Sequence, residues 1–191
     1  MATAETDWTL LAKAVDWYSK SRFRRIELPW HARKETVAVT CPYPERAYPL
    51  KGIGTLVGSA EQAFMEAQFD GRLPKGRWVS LTPCFRSEPV FDDLHLPYFM
   101  KVELYSNEDA QEGMDLVFAK TARFFMLLHG ARKVDLLRTP EGWDLEIGGV
   151  EVGSYSTREH AGHRWTCGTG LAEPRFSTAL AMIKAKEEEA A

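Results

Sequence analysis

Apolar residues near the start of the chain recur at helical spacing. Leu10, Leu11, Ala14, Val15 and Tyr18 share one face, and Thr6 stands where an N-cap belongs. The pattern then changes to alternation over Arg24 to Leu28, which predicts a half-buried strand ended by Pro29. A short run, Thr36 to Thr40, leads into a proline-rich stretch, Cys41 to Pro49, that reads as loop. Ser59 is placed to cap a helix through Phe69 that Gly71 closes. Arg77 to Thr82 and Tyr98 to Tyr105 read as strands, with Pro89 to Pro97 as the hairpin loop between them. Asn107 is the expected cap of the strongest helix. Its apolar stripe, Met114, Val117, Phe118, Thr121, Phe124, Phe125 and Leu128, is expected to be core and stops at Gly130.

Beyond Arg132 the runs shorten. Lys133 to Arg138, Trp143 to Ile147, Val150 to Tyr155 and Arg164 to Thr166 are strand-like, and Pro174 can open a last helix as its first residue. Strands following strands, with helices at intervals, predict an α+β domain on a largely antiparallel sheet. At 191 residues one domain is expected over 1–191, with a Lys- and Glu-rich tail, 184–191, that frays.

Charge and cysteines narrow the function classes. A net charge of −3 gives no overall footprint for a polyanion, and the local cluster Lys20, Arg22, Arg24 and Arg25 reads as a solvated helix end. The three cysteines are widely spaced, which indicates neither a disulfide framework nor a paired-cysteine metal knuckle and fits a reducing cytoplasm. No stretch reaches the apolar length of a membrane span, and Glu5 and Asp7 sit where a secretion signal would be basic.

The densest chemistry lies in Thr82-Pro83-Cys84-Phe85-Arg86-Ser87-Glu88 followed by Phe99-Met100-Lys101-Val102-Glu103. Alone, this is also a hairpin with surface charges. It resembles motif 2 of the class II aminoacyl-tRNA synthetases, nearest to the seryl type. Gly168-Thr169-Gly170-Leu171-Ala172-Glu173-Pro174-Arg175 is similar to motif 3, a glycine-rich strand-to-helix turn ending in arginine, although Pro174 stands where the family usually has glycine. The first helix, the Phe23 to Leu28 segment and Pro29 follow the order of motif 1, while an edge strand stopped by proline explains them nearly as well. Leu56-Val57-Gly58-Ser59-Ala60-Glu61 and Glu151-Val152-Gly153-Ser154-Tyr155-Ser156 resemble two further seryl-branch segments. The six signals run in family order to Arg175.

The resemblance implies a class II synthetase-like antiparallel sheet flanked by helices, with ATP and magnesium as cofactors. It assigns Arg86 to the α-phosphate, Glu88 to the adenine side, Phe99 to stacking beneath adenine, and Arg175 to the γ-phosphate. A cation at the α-phosphate suits the chemistry, because charge builds there during attack by a carboxylate. Glu151 and Ser154 would hold the magnesium ion between phosphates. Ser59 and Glu61 would hold the α-ammonium of the amino acid and Glu103 would face its side chain, while Trp165 and Cys167 replace the threonine and asparagine of the seryl pocket. Trp165 either narrows that pocket toward glycine, alanine or serine or points into the core. Zinc held by Cys167, Glu103 and Glu61 is a weaker implication, since zinc sites usually carry more His or Cys.

The resemblance therefore implies a ligase that converts a small amino acid to an aminoacyl-adenylate and works as a homodimer. The long arm with which seryl enzymes grip tRNA has no counterpart before the first helix, and the loop between Glu88 and Phe99 is short. The expected acceptor is accordingly a carrier protein, a small amine or a modified nucleoside. A reduced seryl-tRNA synthetase that borrows tRNA binding from a partner is the alternative enzyme. A non-catalytic paralogue that binds nucleotide or partner is the alternative from another class.

Overall fold

The structure is a computed structural model that describes residues 5–41, 43–108 and 112–190. Asp7, one residue later than Thr6, caps the first helix, α1 (Trp8–Lys20): its Oδ1 accepts from the Leu10 backbone N–H at 2.8 Å. Strand β1 is shorter than the alternation predicts, only Arg24–Arg25, and pairs in parallel with the strand that begins at Arg77. The Thr36 to Thr40 run is helical, as α2 (Lys34–Thr40), and buries Thr36 and Val37. Around it, β2 (His31–Ala32), β3 (Pro49–Leu50) and β4 (Gly54–Leu56) form a small antiparallel sheet in the order β2-β4-β3. The stretch expected as loop thus contributes one edge of that sheet. Helix α3 (Ala60–Phe69) begins as the sequence predicts, with Ser59 Oγ accepting from the Glu61 N–H.

The main sheet takes its centre from β5 (Arg77–Phe85) and β6 (Tyr98–Ser106), paired with Cys84 opposite Phe99 and Ser80 opposite Glu103. It continues through β7 (Asp135–Arg138), β8 (Gly142–Ile147), β9 (Val150–His160) and β10 (His163–Glu173). Seven strands lie in the order β1-β5-β6-β10-β9-β8-β7, and every pairing except β1 with β5 is antiparallel. The expected α+β class therefore holds.

Asn107 does not cap the fourth helix. Helix α4 (Met114–Leu128) starts after Gly113, and the buried Asn107 side chain instead accepts from the Gly76 N–H and donates to the Leu73 carbonyl. It thereby satisfies buried backbone where β5 begins. The apolar stripe of α4 is also turned from its expected bearing. Met114, Phe118 and Phe125 are buried with Ala119, Ala122 and Met126, whereas Val117, Phe124 and Leu128 are exposed. The small alanines bring the helix close to the sheet and rotate those three outward. The last helix, α5 (Arg175–Glu189), runs to Glu189 through the tail expected to fray, with Lys184 and Glu188 near each other.

Two apolar layers pack on opposite sides of the sheet. One is built with α1, α4 and α5, and the other with α2 and α3, where Phe64 stacks on Tyr105 at 4.6 Å. Strand β10 continues through Gly168 and Gly170, with a register slip at Gly170, so the glycine-rich part of the expected strand-to-helix turn is strand. A Cβ on Gly168 would collide with the Tyr155 ring, and one on Gly170 would lie 2.7 Å from the Tyr18 ring. These glycines make room for core aromatics, which is a packing reason for them. Among the described residues, no helix is long and apolar enough to cross a membrane.

Candidate functional site

A cleft opens on the α3 side of the sheet and divides into two cavities with common walls at Arg86, Glu88, Lys101 and Ser154. The first also takes in Phe99, Glu151 and Arg175; the second, about 330 Å³, takes in Ser59, Glu61, Glu103, Arg158 and Cys167. Of the residues to which the resemblance assigns a place in the site, only Trp165 lines neither.

Arg86 follows β5 directly and donates from Nε to the Gly58 carbonyl at 3.2 Å, with its guanidinium 5.2 Å from the centroid of the Phe99 ring. Phe99, Lys101 and Glu103 occupy alternate positions of β6 and so share a face. Glu88 is held by Arg46 at 3.2 Å. Arg175, the first residue of α5, donates to the carbonyls of Glu151 and Leu94. Among the described residues, the other cations of the cleft are paired: Arg46 with Glu88, Lys101 with Glu103, and Arg158 with Glu61. Among the described residues, Arg86 and Arg175 donate hydrogen bonds only to carbonyls, and they keep their charge for an incoming anion.

Strict alternation would put Glu151 and Ser154 on opposite faces of β9. They meet in one cavity because the register against β8 slips there, with Glu146 opposite Glu151 and Leu145 opposite Gly153. The extra residue, Val152, goes to the core, and the slip re-aims the strand. A second slip at Gly170, between Thr169 opposite Glu103 and Leu171 opposite Val102, is fixed by the Tyr18 hydroxyl donating to the Gly170 carbonyl.

At the other end, Glu103 is buried. Its Oε2 accepts from Ser59 Oγ at 2.7 Å and lies 2.8 Å from Lys101 Nζ. Burial pushes the Glu103 carboxyl above its usual range, and Lys101 and Ser59 only partly offset that. Burial draws the Lys101 ammonium down more than any single neighbour raises it, but the Glu103 charge, Cys84 and the Glu103 hydrogen bond together outweigh burial and hold the group above its ordinary value. Glu61 is more fully engaged. Its Oε1 accepts from Trp165 Nε1 at 2.7 Å and from the Cys167 thiol at 3.1 Å, while Oε2 faces Arg158 at 3.5 Å. Trp165 therefore takes the second of its two expected places, in the core behind Glu61, and does not narrow the pocket.

Burial first, and then the Glu61 charge, raises the Cys167 thiol well above its usual value; burial takes Cys84 up to about 12. Both stay protonated and are poor nucleophiles. Among the described residues, no group of three or more His, Cys, Asp or Glu residues could hold a metal, so Cys167, Glu103 and Glu61 do not assemble the zinc site weighed from the sequence. Glu151 and Ser154 do present two oxygen ligands to one cavity, a partial set that suits magnesium when phosphates and water complete it.

Sequence reasoning missed Lys101, Arg46 and Arg158. Lys101 was legible from the alternation that joins it to Phe99 and Glu103. Arg158 shares a face with Ser154 and Ser156, but the strand was expected to end at Tyr155 and instead continues to His160. Nothing local to Arg46 points toward Glu88.

No protein-family model matches the sequence, and no curated protein sequence does. Solved structures do match. A pyrrolysyl-tRNA synthetase from Desulfitobacterium hafniense aligns with a TM-score of 0.72 and 18% identity over 89% of this chain and 65% of its own. Seryl-tRNA synthetase from Pyrococcus horikoshii, complexed with ATP, aligns at 0.65 and 18% over 91% of this chain and 49% of its own. The cytoplasmic serine-tRNA ligase of Naegleria fowleri, in complex with AMP, aligns at 0.63 and 16%, over 90% and 52%. The chain thus spans about half to two thirds of the length of these neighbours. The fold is that of the catalytic domain of a class II aminoacyl-tRNA synthetase. At such low identity the likeness fixes the fold, and the chemistry has to be argued from this chain's own residues.

Proposed function

We propose that this chain is an ATP-dependent ligase that activates a small amino acid as an aminoacyl-adenylate. The carrying observation is that Arg86 and Arg175, alone among the cleft's described cations, have no carboxylate partner, while both line the cavity that also holds Phe99, Glu151 and Ser154. A polyphosphate supplies the anion this arrangement lacks, and an adenine ring suits the Phe99 face.

In the step proposed, a carboxylate oxygen of the amino acid attacks the α-phosphorus of ATP. The bond to the bridging oxygen breaks, and pyrophosphate leaves with the electron pair. No proton is transferred, so the protein needs only to position the reactants and neutralise charge. Arg86 holds the α-phosphate and Arg175 the γ-phosphate, with Glu88 toward adenine. Glu151 and Ser154 would hold magnesium, which when bound screens the phosphate charges. Ser59 and Glu103 receive the substrate ammonium. Glu61, already accepting from three donors, braces that end, with Cys167 and Trp165 behind it. The Arg158 guanidinium, near both Glu61 and Glu141, crosses the far end of the cavity and supports a short side chain such as that of glycine, alanine or serine.

The acyl group then passes to an acceptor other than a whole tRNA: a carrier-protein thiol, a small amine or a modified nucleoside. The net charge of −3 supports this, as do the exposed Asp92 and Asp93 of the β5–β6 loop beside the cleft, which oppose a polyanion. A reduced seryl-tRNA synthetase served by a partner remains the second reading, favoured by the likeness to the seryl enzymes. The three cysteines are unpaired, which supports a reducing, cytoplasmic setting for this single domain. A homodimer through β1 is also proposed, since Trp8, Trp30 and Tyr98 stand exposed around an apolar groove at that edge. Amino-acid-dependent exchange of pyrophosphate into ATP tests the activation. Charging of unmodified serine tRNA as fast as the adenylate forms would instead favour the second reading.

A further inference from the structure

Lys101 has no role in the reading above, yet it lies where the two cavities meet and lines both. It stands on β6 between Phe99 and Glu103, on the face they share. Its side chain is only 12% exposed, with Nζ at 2.8 Å from Glu103 Oε2 and 3.5 Å from Ser59 Oγ. An ammonium carries three N–H donors. These partners engage at most two of them, so at least one has no acceptor among the described residues. A buried ion pair kept only for stability is a poor bargain, because apolar replacements of like volume are often as stable. A charged, partly unused ammonium at the junction of two cavities calls for an anion.

We propose that Lys101 is a further catalytic residue whose Nζ binds the carboxylate of the incoming amino acid and then the carbonyl and α-phosphate oxygens of the adenylate. This rests on the activation reading. Lys101 works beside Arg86 at the junction, so the attacking carboxylate and the α-phosphate, which repel one another, are neutralised by separate cations. The ammonium keeps its proton throughout, and Glu103 with Ser59 fixes its direction.

The difficulty in testing Lys101 is that its loss leaves the buried Glu103 charge unpaired. The deciding comparison is therefore between Glu103→Gln and the double variant Lys101→Met with Glu103→Gln, where that charge is absent. Pyrophosphate exchange and binding of an alanyl-sulfamoyl-adenosine analogue are measured for both, with ATP binding and melting temperature alongside. The expected result is that adding Lys101→Met lowers kcat for exchange about 100-fold. Analogue binding should weaken at least about tenfold while ATP affinity holds within about threefold. In the background with Glu103 intact, Lys101→Arg should restore part of the activity that Lys101→Met loses. Analogue binding equal in the two Glu103→Gln backgrounds would overturn the proposal even if exchange there were too slow to compare. Absence of exchange and of analogue binding in the wild type would instead overturn the activation reading, and this proposal with it.

Discussion

The guanidinium of Arg86 lies over the ring of Phe99, 5.2 Å from its centroid, and Arg86 Nε is tethered to the Gly58 carbonyl. The cation is thus set above an aromatic face, with its remaining donors free of hydrogen bonds among the described residues. Arg86→Ala is expected to lower the rate of adenylate formation by about 10²–10³, or about 2.7–4 kcal/mol, by analogy with a lost oxyanion donor. Arg86 is exposed and has no buried partner, so the melting temperature should hardly move. Steady-state exchange kinetics beside a thermal melt check both halves; equal activity would remove Arg86 from the reacting centre.

Arg158 should act as a stop for the substrate side chain. Replacing it with Ala removes the guanidinium from the end of the amino-acid cavity, where it stands 3.5 Å from Glu61 and 3.4 Å from Glu141. Exchange with a larger acid such as leucine should then rise relative to alanine, by about 10-fold or more. An unchanged preference in a panel of amino acids would mean that the cavity is bounded elsewhere.

Glu173 makes stability depend on pH. It is buried at the end of β10, Ser177 Oγ donates to its Oε1, and Oε2 makes no hydrogen bond among the described residues. Burial, with the nearby Asp7 charge, raises its carboxyl to about 7. Its pKa is raised in the folded state, so the folded chain holds a proton that the unfolded chain releases at lower pH. This contribution to stability is complete below about pH 4.5 and is lost as pH rises to about 7. Glu173→Gln should therefore be more stable than wild type at pH 8, by on the order of 2 kcal/mol, and the gap should close at pH 5. Denaturant melts at the two pH values test this, and a gap that widens at pH 5 would contradict it.

The fold was legible where local chemistry sets it. Ser59 caps α3 as its spacing demands, and the β5–β6 pair falls where alternation put it. What failed depended on partners distant in sequence. Asn107 looks like a cap until the Gly76 and Leu73 backbone groups that claim it are seen. Gly168 and Gly170 read as a turn because the rings they accommodate, Tyr155 and Tyr18, come from other elements. The lining of the candidate cleft was legible for residues lying within motifs, such as Arg86, Phe99 and Arg175. It was not legible for Trp165, which reaches Glu61 only once β10 packs against α3. Nor could alternation foretell that Glu151 and Ser154 share a cavity, since the slip at Val152 interrupts it.

The proposed homodimer through the β1 edge has its own test. Light scattering should report about twice 21.6 kDa. Trp30→Glu, at a residue 54% exposed, should shift the protein toward monomer without unfolding it. A wild-type monomer well above micromolar concentration would leave the Trp8 and Trp30 groove without its proposed occupant.

The central claim is adenylate formation, and the most direct measurement is exchange of labelled pyrophosphate into ATP with each amino acid in turn, with magnesium, using wild type and Arg86→Ala side by side. The expected result is exchange that depends on one or a few small amino acids and is nearly abolished in the variant. Folded wild-type protein that supports no exchange above background with any amino acid would contradict the account and favour a nucleotide- or partner-binding role for the same cleft.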